Sequence, residues 1–392
     1  MKITINNRYM AMQGLYWMLF CVSSGFISLY LQGRGLSNGG IGTVTAIFGI
    51  LAALLQPMLG GITDRSNRIT WRHMILMLAI PYLTICIVMP FIPGALAGAT
   101  FMGLLILLGN TIMPFINTAH YYYSQKGEYI NFGVARGIGS GLYALLALVI
   151  GFLAEGYGIE MVPISGILIG LLFILVVFRM PSSKEQLEKA PREKGLQKGF
   201  MLRYPAFTFM LIATLLMLTA HNILNTYLLQ IIQSVGGNSS QLGIALAIQA
   251  VVEVPVLFGF SRLLKHFRPK TLMLIAAFGF ALKALMYALS GSVSMIYVIQ
   301  FAQMLSFAIF ASASVYYTSE IIAKEDQASG QAYMTSMITV GTVLGSLSGG
   351  WMLELNGMNT MLAVNVVIAL VGVGFALISI KHKELPQQKA AA

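Results

Sequence analysis

Residues 160–179 read Glu160-Met161-Val162-Pro163-Ile164-Ser165-Gly166-Ile167-Leu168-Ile169-Gly170-Leu171-Leu172-Phe173-Ile174-Leu175-Val176-Val177-Phe178-Arg179, an uncharged run closed at each end by an ion. About 20 apolar residues wound as a helix cross the hydrocarbon core of a bilayer, so this stretch predicts a transmembrane span. Runs of that length recur along almost the whole chain, at 9–31, 40–62, 73–91, 95–122, 130–154, 160–179, 206–233, 240–264, 271–290, 293–319, 328–353 and 359–380. Helices are the expected form, because an unpaired backbone group in lipid costs several kcal/mol and a helix pairs its own. Composition agrees: 57% of the 392 residues are hydrophobic and 9% charged, where a soluble domain carries roughly 25% charged. A water-soluble fold is excluded. The reading is an all-α membrane protein of twelve transmembrane helices.

The quoted stretch is followed by the longest loop, 181–205, which holds Lys184, Glu185, Glu188, Lys189, Arg192, Glu193, Lys194 and Lys198. It reads as a solvated cytoplasmic linker between an N-terminal six-helix bundle (1–180) and a C-terminal one (206–380), with a cytoplasmic tail at 381–392. If the N-terminus is cytoplasmic, only Arg34 of the 24 Lys and Arg falls outside, and only Arg136 and Lys283 fall deep within spans, Arg179 and Arg262 lying at cytoplasmic ends. The chain is therefore expected in the cell membrane, against the lipid bilayer, with both termini cytoplasmic and as a monomer. Its net charge of +11 is spread over loops rather than gathered with aromatics, so nucleic acid is not an expected partner. Cys21 and Cys86 lie inside apolar runs and read as small core residues, not a disulfide.

The two halves repeat weakly. Pro57 and Pro255 are 198 residues apart, as are Gly61 and Gly259, and Arg72 and Lys270. Paired bundles of this kind, related by an axis along the membrane normal, bind solute near the midplane and alternate access by rocking. Gly137 and Gly141 in the fifth span, and Gly341, Gly345 and Gly349 in the eleventh, leave helix faces narrow enough for close packing.

Charge at the bilayer centre costs at least about 2.5–3.5 kcal/mol, so an ion within a span points to function. There are three: Arg136 in the fifth span, Glu253 in the eighth and Lys283 in the ninth. They are expected to face a common wet cavity. Arg136 and Tyr143 are two helical turns apart and project from one face, where a guanidinium fork beside an aromatic plane suits a polyol. Glu253 is the one acidic residue deep in a span and the natural seat for a proton; a structural ion pair with Lys283 is the alternative. His221, Asn222 and Asn225 in the seventh span, Gln249 one turn before Glu253, and Gln300 and Gln303 in the tenth add donors and acceptors. Together these side chains suggest an uncharged polar solute.

The stretch Gly60-Gly61-Ile62-Thr63-Asp64-Arg65-Ser66-Asn67-Arg68 resembles the G-x-x-x-D-R/K-x-x-R loop of the major facilitator superfamily, and makes Asp64, Arg65 and Arg68 gating candidates. Leu55-Gln56-Pro57-Met58-Leu59-Gly60 and Asn131-Phe132-Gly133-Val134-Ala135-Arg136-Gly137-Ile138-Gly139-Ser140-Gly141-Leu142-Tyr143 resemble the lactose-permease-like branch, which includes oligosaccharide, nucleoside and phenylpropionate permeases. Glu253 with Pro255, and the basic Lys283, continue the resemblance. It implies the two-bundle facilitator fold and proton-coupled uptake of a sugar, oligosaccharide or nucleoside, with Arg136 hydrogen-bonding hydroxyls and Tyr143 stacking on a ring. It also implies a small-molecule substrate and protons as partners and calls for no cofactor, no metal and no catalytic residue. The branch's tenth-span histidine and carboxylate align with Gln303 and Ser306, its fourth-span carboxylate with Thr118 and its ninth-span arginine with Lys283. Either Glu253, with His221, couples protons by another route, or the protein is a uniporter. Efflux of hydrophobic compounds, suited by 24 methionines, and uptake of an aromatic carboxylate on Arg136 stay open. No H-E-x-x-H, G-x-S-x-G or phosphate-cradling motif appears, so an enzyme is not expected.

Overall fold

The structure is a computed structural model that describes residues 4–66, 68–182 and 199–382, apart from the side chain of Asp64. The expected mixed-charge linker falls mostly on 183–198, and the expected tail on 383–392; both lie outside the described residues. Among the described residues the secondary structure is helical throughout. The first span is α1 (Ile5–Phe20), a π turn (Cys21–Gly25) and α2 (Ile27–Gly33), bent by 43°. Then follow α3 (Asn38–Arg65), α4 (Trp71–Val88), α5 (Ala95–Gln125), α6 (Phe132–Tyr157) and α7 (Met161–Phe178). The short α8 (Phe200–Arg203) leads into a second broken span, α9 (Pro205–Thr226) with α10 (Leu228–Ser234), and then α11 (Ser239–His266) and α12 (Pro269–Ala288). The tenth span is α13 (Val293–Gln300), a 3-10 turn, a π turn (Met304–Ala308) and α14 (Ile309–Ile321).

α15 (Gln327–Lys381) runs for 55 residues, and at 1.5 Å per residue it is more than twice as long as a bilayer core is thick. Gly357 breaks it with φ 80° and ψ 175°, a conformation open to glycine, so its two parts are the eleventh and twelfth spans. An even number of spans among the described residues returns Thr4 and His382 to one face, here called the termini face, opposite the far face. Side chains such as Leu54, Met58, Phe152 and Leu168 are exposed on the outer surface of the bundle, where lipid rather than water is the fitting solvent. Cys21 and Cys86 are free and buried, as core residues should be.

The internal repeat is sharper in the backbone than in the sequence. The first and seventh spans bend at Phe26 (φ −112°, ψ 17°) and Tyr227 (φ −105°, ψ 21°). Each bend is followed by a seven-residue helix, a glycine at positive φ (Gly35, Gly236), a capping side chain (Ser37, Asn238) and a 28-residue helix. Every one of these pairs is 201 positions apart. The 198-residue spacing of Arg72 and Lys270 holds only beyond the next loop, which is three residues shorter in the second half. Pro57 and Pro255 therefore sit three residues apart in depth on equivalent helices.

Within the first six spans α1 packs on α6 and α7, and α4 on α5 and α7; within the last six α9 and α12 pack on α15. The halves meet where α6 lies against α11 and α3 against α15. Glycines permit these contacts. A Cβ on Gly42 would stand 2.3 Å from the Ser346 carbonyl oxygen, and one on Gly243 2.4 Å from that of Ala147. Toward the termini face the fit relaxes: a Cβ on Gly49 would be 3.9 Å from Val343, and Gly60, Gly61 and Gly259 have nothing within 4 Å, although the Phe258 ring still reaches Gly137. Among the described residues the hydrogen bonds between halves lie at the far face: Gln32 to Gln233, Gly39 to Glu354, Tyr227 and Gln230 to Asn38, and Ser239 to Glu155.

Candidate functional site

α6 starts beneath an Asn131 cap, whose side chain accepts from the Val134 amide at 3.1 Å, and this puts Arg136 on its second turn. Arg136 donates to the Ser140 hydroxyl at 2.7 Å, and its guanidinium carbon lies 3.8 Å from the Trp17 ring centroid. A stacked guanidinium keeps its in-plane N–H groups free for a ligand. Trp17 is the aromatic plane beside the arginine, a role the sequence reading gave to Tyr143. Tyr143 faces the same span two turns further on; its hydroxyl lies toward Cys21 and stands where a Cβ on Gly25 would come within 2.7 Å. Trp17 lies on α1 in a largely apolar run, where Gln13 one turn earlier is the one polar side chain that could have marked it.

Glu253 comes from the middle of α11, across the interface from Arg136, and the two are close enough to feel each other's charge. Its Oε1 accepts from Gln303 Nε2 at 2.8 Å, while Gln303 Oε1 accepts from Lys283 Nζ at 2.5 Å. The glutamine thus joins carboxylate and ammonium, so the direct Glu253–Lys283 ion pair held as the alternative is a bridged one. Lys283 is 1% and Glu253 8% exposed, so neither ion faces lipid. Lys283 is enclosed among side chains of its own half and reaches the interface only through Gln303, which differs from the common wet cavity expected for all three ions.

A second polar chain lies beside the first. Asn225 contacts His221 Nε2 at 2.8 Å and accepts from Gln249 Nε2 at 3.2 Å. The His221 ring stacks on Phe307, edge-on to Phe280, and feels the charge of Lys283. His221 Nδ1 and Gln249 Oε1 are buried without a partner, and buried polar atoms of that kind are costly unless something else satisfies them. Asn222 stands apart, donating to the Leu218 carbonyl and to Thr342 on α15. Gln300 is turned to Tyr287 at 2.6 Å.

The gating stretch is helix up to Arg65 and becomes loop only at Ser66. Arg65 and Arg68 are exposed at the termini face, and the Asp64 side chain lies outside the described residues. At the far face Arg34 is paired with Glu160 at 2.9 Å.

Among the described residues, twelve apolar spans in two repeated sets, with ionisable and amide groups buried at the seam, define a multi-pass membrane transporter of the major facilitator fold. The family model described as the MFS_1 like family matches residues 9–364, and the chain belongs to that family. A maltose permease of Geobacillus stearothermophilus is 25% identical over 372 residues, covering 91% of this chain and 90% of that one. The crystal structure of the nucleoside transporter NupG superposes with a TM-score of 0.80 over 96% of this chain and all of the other, at 17% identity. That of a D-xylose-proton symporter does so with 0.75 over 99% of each chain, at 15% identity. Structural likeness at such low identity speaks for the fold alone.

Proposed function

We propose that the protein takes up a small neutral polar solute, a sugar, oligosaccharide or nucleoside, together with a proton, by alternating access between an N-terminal half (1–180) and a C-terminal half (206–380). The observation that carries this reading is the convergence of Arg136 from one half with the Gln303-bound Glu253 from the other. The maltose permease and the nucleoside and xylose transporters are similar proteins, named for substrates of this class. The distribution of Lys and Arg supports a cytoplasmic termini face, a far face outside the cell and a place in the cell membrane.

In this mechanism Arg136 offers its free N–H groups to solute hydroxyls, and Gln249, Asn225 and His221 supply donors and acceptors from the other side. Tyr143 and Trp17 give the ring an apolar wall, and Asn222 ties the seventh span to α15 behind the site. A proton on Glu253 cancels the charge facing Arg136 and frees the guanidinium for solute. Lys283 and Gln303 hold the carboxylate's position. Asp64, Arg65 and Arg68 act as gate residues, the loop that carries both signs pairing with a neighbouring helix end in one conformer and releasing it in the other.

We take the protein to act as a monomer, and a thermal-shift screen of the purified protein against maltose, xylose, uridine and phenylpropionate tests substrate class, since a ligand selective for the folded state raises its stability by mass action. A rise with one neutral solute supports the reading; a rise with phenylpropionate alone replaces it with aromatic-acid uptake. Glu253→Gln is expected to retain solute exchange and to lose uphill accumulation in energised vesicles.

A further inference from the structure

The 28-residue helices α3 and α11 both begin at the far face, and their N-termini meet the other half. Ser37 accepts from the Gly40 amide at 3.2 Å and Asn238 from the Gln241 amide at 3.3 Å. A cap of this kind satisfies one of the four free N–H groups that open a helix. A further one on each helix is taken by a carboxylate from across the interface. Glu354 Oε2, on the turn before Gly357, accepts from the Gly39 amide at 2.6 Å. Glu155 Oε2, on the last turn of α6, accepts from the Ser239 amide at 3.0 Å. Among the described residues neither carboxylate has a cation within ion-pair distance, so the helix end is what each one faces. The third far-face carboxylate, Glu160, is held by Arg34 inside its own half.

We infer that Glu155 and Glu354 form a paired latch that holds the far face shut, each placing its charge on the N-terminus of a helix from the opposite half. The two contacts stand at corresponding helix ends, the carboxylates 199 positions apart and the bonded amides 200, and Gln32 and Gln233, 201 positions apart, bond to each other at 3.1 Å. One turn inward, Gly42 and Gly243 allow the backbones to close. A charge at a helix N-terminus favours the bonded state modestly, and two such contacts together shift the closed-to-open ratio roughly 3- to 30-fold. That is the useful range: a gate held much more tightly would not reopen during transport. The latch residues touch neither Arg136 nor Glu253, so they act on access and not on solute.

The latch rests on the alternating-access reading, but its test needs no solute. Ala247, one turn deeper than Gly243 and 6% exposed, is sealed behind the closure. Ala247→Cys is to be labelled with a membrane-impermeant maleimide from the far face, with the native protein as background, since Cys21 and Cys86 are buried. Adding Glu155→Gln with Glu354→Gln should raise the labelling rate roughly 3- to 30-fold, with each single substitution intermediate, because glutamine keeps an acceptor and loses the charge. Glu160→Gln, which breaks an ion pair within one half, should leave the rate unchanged. An unchanged rate in a double variant that melts at the native temperature overturns the latch and leaves transport standing. If the double variant fails to fold, the two single variants decide the matter: no increase in either one is equally contrary. Faster labelling in a protein that carries no solute supports the latch and overturns only the transport reading.

Discussion

Gln303 is where a single side chain decides most. It receives from Lys283 and gives to Glu253, so Gln303→Leu strands two buried ions at once. Removing one partner of a buried charged hydrogen bond costs about 1–3 kcal/mol and breaking a buried pair about 3–5 kcal/mol. A fall of several degrees in the unfolding midpoint is expected by circular dichroism, and adding Lys283→Met should recover part of it, the mark of coupled neighbours. An unshifted midpoint would show that the amide bridge contributes nothing. The sequence pointed to each of these residues, because an ion or amide inside an apolar run is conspicuous. It did not reveal who bonds to whom: 50 positions separate Gln303 from Glu253, and nothing in a periodic pattern fixes that pairing. Trp17 was hidden for the opposite reason, being one more aromatic in an apolar helix.

The helices themselves were readable wherever hydropathy alone defines them. All twelve runs are spans, and Pro57, Pro81, Pro114 and Pro255 lie inside helices without ending them. The bends at Phe26 and Tyr227 and the π turns were harder to read, since neither bend is at a proline; Ser23-Ser24-Gly25 before the first and Asn225-Thr226 before the second are the local marks of each. Glycine spacing gave the idea of close packing but not its partners. The contrast between helix ends makes a prediction. Gly243→Val and Gly42→Val put a side chain against backbone carbonyls that have no rotamer to yield, so the far face is forced apart. Gly60→Val meets nothing within 4 Å. Solute uptake should fall at least about tenfold in the first two, by the factor that roughly 1.4 kcal/mol of misfit imposes, with native expression, and stay near normal in the third. Equal effects in all three would mean that the halves do not close at these glycines.

Across the molecule the two halves are alike in backbone and unlike in chemistry. The first gives Arg136, Trp17 and Tyr143; the second gives Glu253, Gln303, Lys283, His221, Asn225 and Gln249. A repeat suits the rocking of the proposed mechanism, and the difference between its copies makes the proposed site asymmetric, with the arginine on one side and the carboxylate, lysine and amides on the other. The far-face carboxylates show the limit of reading by position. Glu155 and Glu354 were recognisable as lying at span ends, yet their engagement of opposing helices depends on how the bundles dock. The most direct test of proton coupling at Glu253 is a pH electrode in a lightly buffered suspension of de-energised, right-side-out vesicles. Adding the solute found by thermal shift should make the medium transiently alkaline as protons enter with it, and Glu253→Gln should abolish that signal while solute still equilibrates. Solute entry through the native protein with no change in external pH would contradict the account and leave a uniporter in its place.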